Sequence, residues 1–481
     1  MTENANPIER RLANEQKALA FSLRSLLRRP PVVCAATDRV QTAVARMRTE
    51  GVGSIVVVDA RGQPVGIFTE RDLIAAVLDG ALEAPIEQAM TRDPLALPAQ
   101  TPAYEAALAM IEHQIRHVLV TDGAVLLGVV SERDLFSLQR LGLGELTMEI
   151  RLARDIDTLA ALAARVRRLT RLLVEEGVAA EPLTLYVSLL NDRIAQRVIE
   201  LIRKRYQWDR IGWCWLAFGS EGRLEQTFAT DQDNGLLFQT DEDPAAVRAR
   251  LLPFARAVNE ALDACGYPLC KGNVMASNPA LCLSLDEWRA KLTGWLANSD
   301  PKALLDAAIC FDFRPLAGDM RLAQRLREWF LAQTRTRPNF LRLLAENALQ
   351  ARPPLARWRD FATDADGTIN IKLYGVRPFV DCARILALAH GVPDTGTVAR
   401  FRAAIAAGAL PPADGEATIA AFLFIQQVRL RHQATLPTLT DDRANRIDPQ
   451  RLDELQRRTL KEAFRLERDM QARLALDYQL R

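Results

Sequence analysis

No stretch of this chain stays apolar for the roughly 20 residues that a membrane-crossing helix requires; the most apolar late run, Ala417 to Ile425, is far shorter. The N-terminus, M-T-E-N-A-N-P-I-E-R-R, lacks the apolar core of a secretory signal. These absences imply no membrane anchor and a cytoplasmic location. Cysteine is sparse: Cys34, Cys214, Cys265, Cys270, Cys282, Cys310 and Cys382 are scattered and form no C-x-x-C pair. That argues for reduced, mostly core thiols and against a disulfide framework or a cysteine zinc site. Only four histidines occur, His113, His117, His390 and His432, and neither H-E-x-x-H nor G-x-x-x-x-G-K-[S/T] is present. Neither sign of charge dominates, with 62 basic against 60 acidic residues. The chain therefore has no global field to recruit nucleic acid or an anionic membrane.

What is present begins with length. A chain of 481 residues predicts about three domains, each able to bury its own core. An internal repeat occupies the first third: A-V-A-R-M-R-T-E-G-V-G-S-I-V-V-V-D-A-R-G-Q-P-V-G-I-F-T-E-R-D-L-I returns as A-A-L-A-M-I-E-H-Q-I-R-H-V-L-V-T-D-G-A-V-L-L-G-V-V-S-E-R-D-L-F. Each copy reads as helix, β-branched strand, Asp/Gly turn, second strand, and a helix opened by Thr69 or Ser131. Residues 1–29 read as a lead-in helix with a basic end, stopped by Pro30-Pro31. Residues 141–205 carry long helical periodicity and read as a connector. Their Arg165, Arg167, Arg168 and Arg171 form a basic cluster, expected as a solvated face paired with acidic neighbours rather than a nucleic-acid contact. Strand-like segments return in I-G-W-C-W-L-A-F and N-G-L-L-F within an α/β segment, 206–295. From 296 to 481 the pattern is a helical bundle broken at Pro353-Pro354, D-A-D-G and Pro411-Pro412.

The chemistry concentrates in W-L-A-F-G-S-E-G-R-L-E-Q-T-F-A-T-D-Q-D-N-G-L-L-F, Trp215 to Phe238. On a strand, Asp231 and Asp233 point to one face while Gln232 points away. Two carboxylates roughly 5 Å apart repel by about 3 kcal/mol at an effective dielectric of about 20, so the pair calls for a cation, and Mg²⁺ is the natural one. Gly219 lets backbone N–H groups approach phosphates, and Ser220 adds a hydroxyl donor. The alternative is local: Asp231 as a helix cap and Asp233 as a turn anchor to Asn234-Gly235. Lys372, Arg429, Arg431 and His432 are weaker candidates for phosphate or substrate binding, with ion pairing inside the bundle an equal reading.

The repeat, through G-I-F-T-E-R-D at 66–72 and G-V-V-S-E-R-D at 128–134, resembles a pair of CBS domains, a Bateman module, over 30–140. That resemblance implies an adenine nucleotide (AMP, ADP or ATP) held by Thr69, Asp72, Ser131 and Asp134, and a face-to-face homodimer. A capping box, which needs no ligand, explains the same residues. The pattern of Gly219-Ser220 followed by Asp231-x-Asp233 resembles the nucleotidyltransferase superfamily of DNA polymerase β. The longer run, with C-K-G-N-V-M-A-S-N-P, F-D-F-R-P-L-A-G-D, I-K-L-Y-G-V-R-P and V-R-L-R-H-Q downstream, resembles bacterial CBS-pair-linked nucleotidyltransferases, similar to PII-protein uridylyltransferases and glutamine-synthetase adenylyltransferases. The implied fold is multi-domain α/β plus all-α: CBS pair, helical connector, polymerase β-like domain and C-terminal helical substrate-binding bundle.

By that resemblance Gly219 and Ser220 hold NTP phosphates, Asp231 and Asp233 ligate Mg²⁺, and Arg223, placed by charge and position, neutralises leaving pyrophosphate. The expected outcome is NMP transfer to an acceptor, a protein hydroxyl first, in signal transduction. The third carboxylate of the superfamily has no evident counterpart: the corresponding strand is expected at 272–276, where the chain offers Asn273, and Asp312 is a candidate substitute. A catalytically degenerate nucleotide-sensing scaffold is the alternative reading, and RNA 3′-end addition a third.

Overall fold

A computed structural model describes residues 22–27, 29–113, 115–123, 125–131, 143–175, 177–208, 211–297, 307–356, 361–436 and 441–480. Most of the expected lead-in helix, and Asp134, lie outside these residues. The chain divides into two compact units, Met1–Met148 and Glu149–Arg481.

In the first unit the two repeats build similar sheets. One has the order β1 (Val33–Ala35), β2 (Ser54–Val58), β3 (Pro64–Thr69), β4 (Thr91–Arg92). The other has the order β5 (Ala96–Pro98), β6 (His117–Asp122), β7 (Val125–Ser131). In each, the first strand is parallel to the second and the second antiparallel to the third. Period-two alternation sends one side of each strand to its own helices and the other to the partner repeat: Val56, Ile67 and Leu119 form a shared cluster. Gly66 and Gly128 stand at equivalent positions and serve equivalent purposes. A Cβ on Gly66 would lie 2.2 Å from the Met90 sulfur, and one on Gly128 2.5 Å from Leu27 Cδ2. The short helix α1 (Leu23–Leu26) buries Leu23 and Leu26 against Ala99 and Ala103 of the second repeat, a place that Ile86 fills in the first.

The second unit is built around a four-stranded sheet of order β10-β9-β8-β11: β10 (Cys282–Ser284), β9 (Asn234–Gln239), β8 (Gly212–Ala217), β11 (Arg314–Gly318). Only the β10–β9 pair is parallel. The segment 272–276, expected as a strand, is a turn instead: Asn273 adopts φ +54° and its N–H closes onto the Cys270 carbonyl at 2.9 Å. Its C-K-G-N sequence favours a turn, because Gly and Asn tolerate the conformations a tight reversal needs.

The helices α6 (Ile156–Glu175) and α7 (Ala180–Arg203), expected as a connector, pack within this unit. The α7 helix also buries polar side chains against the rest of the unit. Ser188 accepts from the Gln226 N–H, Asn191 bonds Gln226 and Tyr267, and Asp192 pairs with Arg314. The arginine cluster of α6 is not a bare basic face: Arg165 pairs with Glu149, Arg167 reaches the Cys265 carbonyl, and Arg171 reaches those of Ala434 and Leu436.

The C-terminal helices α13 (Arg377–His390), α14 (Thr397–Ala406), α15 (Pro412–Thr435) and α16 (Glu454–Asp477) share one apolar core with the sheet, running from Leu216 and Phe218 through Phe311 and Phe330 to Phe379, Phe422 and Phe464. At its centre lies Asp312, fully buried, gripped by Arg223 (2.8 Å), Arg384 (2.7 Å) and Arg400 (2.8 Å). Despite the burial, Arg384, Arg400 and Arg223 hold this carboxyl far below the usual carboxylate range. Removing one partner of a buried charge network costs about 3–5 kcal/mol. Asp312→Asn is therefore expected to lower the unfolding free energy of the second unit on that scale, read from urea denaturation followed by tryptophan fluorescence.

Candidate functional site

The β8 strand ends at Ala217 and the chain turns at once into a single helical turn, α8 (Gly219–Gly222). Both glycines are imposed by what they face. Gly219 has φ +54°, and a Cβ there would stand 2.6 Å from an Asp233 carboxylate oxygen. A Cβ on Gly222 would stand 2.1 Å from the Asp312 carbonyl oxygen. The turn is then clamped by the helical region: Thr395 donates to the Gly222 carbonyl (2.7 Å), and Glu225 accepts from the Thr397 N–H (2.6 Å) and from Arg223 (2.8 Å).

The return segment carries the acids. Asp231 and Asp233 sit in the extended approach to β9 rather than on the strand itself, because β9 begins at Asn234. The ladder nonetheless continues one step, with the Phe218 N–H donating to the Asp233 carbonyl at 2.8 Å. The expected alternation holds. Gln232 is buried and bonds the carbonyls of Asn259 (2.9 Å) and Tyr267 (2.8 Å), while Asn234 accepts from Asn259 and the Ala276 N–H. Asp231 and Asp233 are left half-buried on the opposite side.

A third donor stands with them. Ligand atoms of Asp231, Asp233 and Cys270 all lie within 4.8 Å of one another. The segment bearing Cys270 is pinned beside the acids, since the Gln232 N–H donates to the Pro268 carbonyl (3.1 Å) and the Asn234 N–H to the Val274 carbonyl (3.0 Å). Burial, then the charge of Asp231, pushes the Asp233 carboxyl up to about 6. Burial first, then Asp233, pushes the Cys270 thiol up to about 11. Glu221 is pushed up to about 8, by burial and then by Asp192, with smaller contributions from Asp233 and Asp231. Opposite charge comes from the helical region. Lys372 opens a π-helical turn, Lys372–Val376, of the kind that often marks functional sites. The residue as a whole is exposed, yet desolvation by surrounding protein and then Arg429 depress its pKa, while Asp231 and Asp233 raise it. Arg429 is buried, lowered to about 10, and hydrogen-bonds the neutral acceptors Asn445 (2.8 Å) and Gln426 (3.4 Å).

The two sequence candidates for a third donor stand differently. Asn273 lies in a turn, its backbone carbonyl accepting from Asn278 (2.9 Å). Asp312 is saturated by arginines. Arg223 points its guanidinium at Glu225 and Asp312, so it ties the turn in place rather than facing the acids. Cys270 and Glu221 are the site residues that sequence reasoning missed, whereas Lys372 and Arg429 were among its weaker candidates. Cys270 lies some forty positions beyond the acids in the sequence and looks like any core thiol. In the first unit, Thr69 and Asp72 form a capping box, with both the Thr69 hydroxyl and its N–H donating to Asp72 at 2.8 Å. Ser131 ends β7, opposite His117 of β6.

The donor set fits a divalent cation: two close carboxylates, one with a raised pKa, beside a glycine whose Cβ would fill the gap. Under a strand-ending Gly-Ser turn, this arrangement is the one the sequence pattern pointed to. Comparison with known families agrees. Residues 164–302 match the family described as "Putative nucleotidyltransferase DUF294", residues 338–478 the "Putative nucleotidyltransferase substrate binding domain", and residues 23–79 and 86–140 the CBS domain. The chain belongs to this CBS-linked nucleotidyltransferase family.

Curated relatives include the "Uncharacterized 17.7 kDa protein in bps2 3'region" of Acidianus ambivalens, 33% identical over 97 residues, or 20% of this chain and 59% of that protein. Another is YlbB of Bacillus subtilis, 36% identical over 107 residues, or 21% of this chain and 71% of that one. This chain thus spans less than two thirds of the first of them. Among solved structures it is similar to the CBS domain protein PAE2072 from Pyrobaculum aerophilum complexed with AMP, at 30% identity and a TM-score of 0.24, covering 27% of this chain and 99% of that one. Among the described residues no helix is long and apolar enough to cross a membrane.

Two outcomes test the local electrostatics. Gly219→Ala forces a strained backbone against Asp233 and is expected to cost about 1–3 kcal/mol of stability in urea denaturation. Because Glu221 is raised in the folded state, its contribution is full below its unfolded value and is lost as pH rises through about 8. Glu221→Gln, measured without added metal, should gain stability relative to the parent between about pH 5 and about pH 9, by of order 1–2 kcal/mol after allowing for partial exposure.

Proposed function

We propose that the second unit transfers NMP from an NTP to an acceptor hydroxyl of a protein, with Mg²⁺ held by Asp231 and Asp233, and that an adenine nucleotide in the CBS pair regulates this transfer. The observation that carries the reading is the Asp231–Asp233 pair, stripped of counter-charge on its own segment and set against the Gly219–Ser220 turn. Bound there, Mg²⁺ would neutralise charge developing on the phosphates as the acceptor oxygen displaces pyrophosphate in line.

The remaining work falls to the chain. The Gly219–Ser220 turn lets the polyphosphate come close to the backbone, with the Ser220 hydroxyl as a donor. Lys372 and Arg429 supply cationic charge from the helical side, a role first assigned to Arg223, and favour a polyanion beside the acids. Glu221, neutral over much of the physiological range, limits the negative charge the site must carry before a cation arrives.

A protein acceptor is favoured over RNA because 62 basic against 60 acidic residues leave the chain no net field to draw nucleic acid. In the CBS pair, Asp72 caps its own helix. A nucleotide reading uses that helix N-terminus together with Ser131 and Asp134, and pairing of two CBS modules gives the expected homodimer.

The test incubates the protein with each α-labelled NTP, Mg²⁺ and cell lysate. Asp231→Asn/Asp233→Asn should cut labelling about 100-fold or more, since a metal contributes several kcal/mol of charge stabilisation. Lys372→Ala should raise the KM for NTP about tenfold, the loss of one charge-assisted contact. Labelling that survives the double aspartate change removes the pair from the mechanism. Equal rates with and without saturating AMP or ATP remove the regulatory reading.

A further inference from the structure

We infer that Cys270 is the third metal donor of this site, so that Asp231, Asp233 and Cys270 form a mixed oxygen–sulfur set that prefers a borderline divalent cation of the Zn²⁺ or Co²⁺ type to Mg²⁺. The inference rests on the reading of the aspartate pair as a metal site and replaces Mg²⁺ there with a borderline cation.

Three observations carry it. The ligand atoms of the three residues lie within 4.8 Å of one another. Three donors spread evenly at 2.0–2.3 Å around one ion stand roughly 3.3–4.0 Å apart, so a shift of under about 1 Å in each side chain brings all three into one coordination sphere. The position is also built rather than accidental. Backbone bonds from Gln232 to Pro268 and from Asn234 to Val274 fasten the Cys270 segment on both sides, and the turn closed by Asn273 fixes where the thiol stands. Finally, the carboxylate that could have stood third is taken, since Asp312 is committed to three arginines. Thiolate donors select softer cations, whereas Mg²⁺ demands oxygen. On binding, the thiol proton leaves to solvent and the sulfur bonds the ion.

The experiment titrates the full chain with Co²⁺, Cd²⁺ and Mn²⁺, reading sulfur-to-metal charge-transfer absorption and calorimetric affinity. The parent should show the charge-transfer band with Co²⁺ and Cd²⁺. Cys270→Ser should abolish it and weaken Cd²⁺ binding by at least about 10–100-fold, the range seen even when only a supporting group of a metal site is lost, while Mn²⁺ binding changes little. Cys270→Asp should move preference the other way, towards Mg²⁺ and Mn²⁺. A Co²⁺ complex without the sulfur band, or unchanged Cd²⁺ affinity in Cys270→Ser, overturns the role of Cys270 and leaves the carboxylate site standing. Metal binding that is indifferent to Asp231→Asn/Asp233→Asn overturns both readings.

Discussion

The second unit is organised by one buried anion. Asp312 lies just before β11 with no access to water, and three guanidinium groups reach it, Arg223 from just past α8, Arg384 from α13 and Arg400 from α14. An isolated charge in that position would be untenable, so the sheet and the helices must arrive together for any of these groups to be satisfied. Arg384 also pairs with Asp381, Arg223 with Glu225, and Glu225 in turn accepts from the Thr397 backbone. The network therefore fixes the distance between the Gly-Ser turn and the helices that bring Lys372 and Arg429. A loose turn would make a poor ligand site. This one is held from below by charge and from the side by carbonyl contacts.

That constraint explains why the motif is longer than phosphate chemistry alone would require. In G-S-E-G-R-L-E-Q, Gly219 gives room to Asp233 and Gly222 gives room to the Asp312 carbonyl. Arg223 and Glu225 belong to the ionic network, and Gln226 is bonded to Asn191 and Thr230. In D-Q-D-N, Gln232 and Asn234 anchor the segment to Asn259 so that the two aspartates are presented on its other side. Roughly half of the pattern is scaffold, and it is the scaffold that makes the aspartate pair a fixed geometry.

The architecture was largely legible from the chain, because each repeat announces its strands by β-branched alternation and its helices by apolar periodicity. The aspartate pair was legible because its members are two positions apart. What spacing could not deliver was anything set by long-range packing. Arg223 reads as a phosphate ligand until Asp312, almost ninety positions away in the sequence, claims it. The helices 156–203 read as a connector because their apolar stripes are long, yet Ser188, Asn191 and Asp192 on α7 are buried against the sheet. Cys270 gave no local signal at all, since a lone thiol in an irregular segment is indistinguishable from a packing residue until the strand beside it is placed.

The electrostatics of the site have a logic of their own. Asp233 and Glu221 are both driven towards their neutral forms, while Lys372 and Arg429 are driven towards theirs. Acids and bases are each held at a disadvantage, chiefly by burial, although they lie close enough to feel one another. Direct pairing between the two sets would have relieved this, and the fold keeps them apart: the acids on the sheet side, the cations on the π-helical turn and α15. A ligand that relieves both must bring positive charge to the first set and negative charge to the second. A divalent cation carrying a polyphosphate does that in a single binding event, and neither the cation nor the anion alone would.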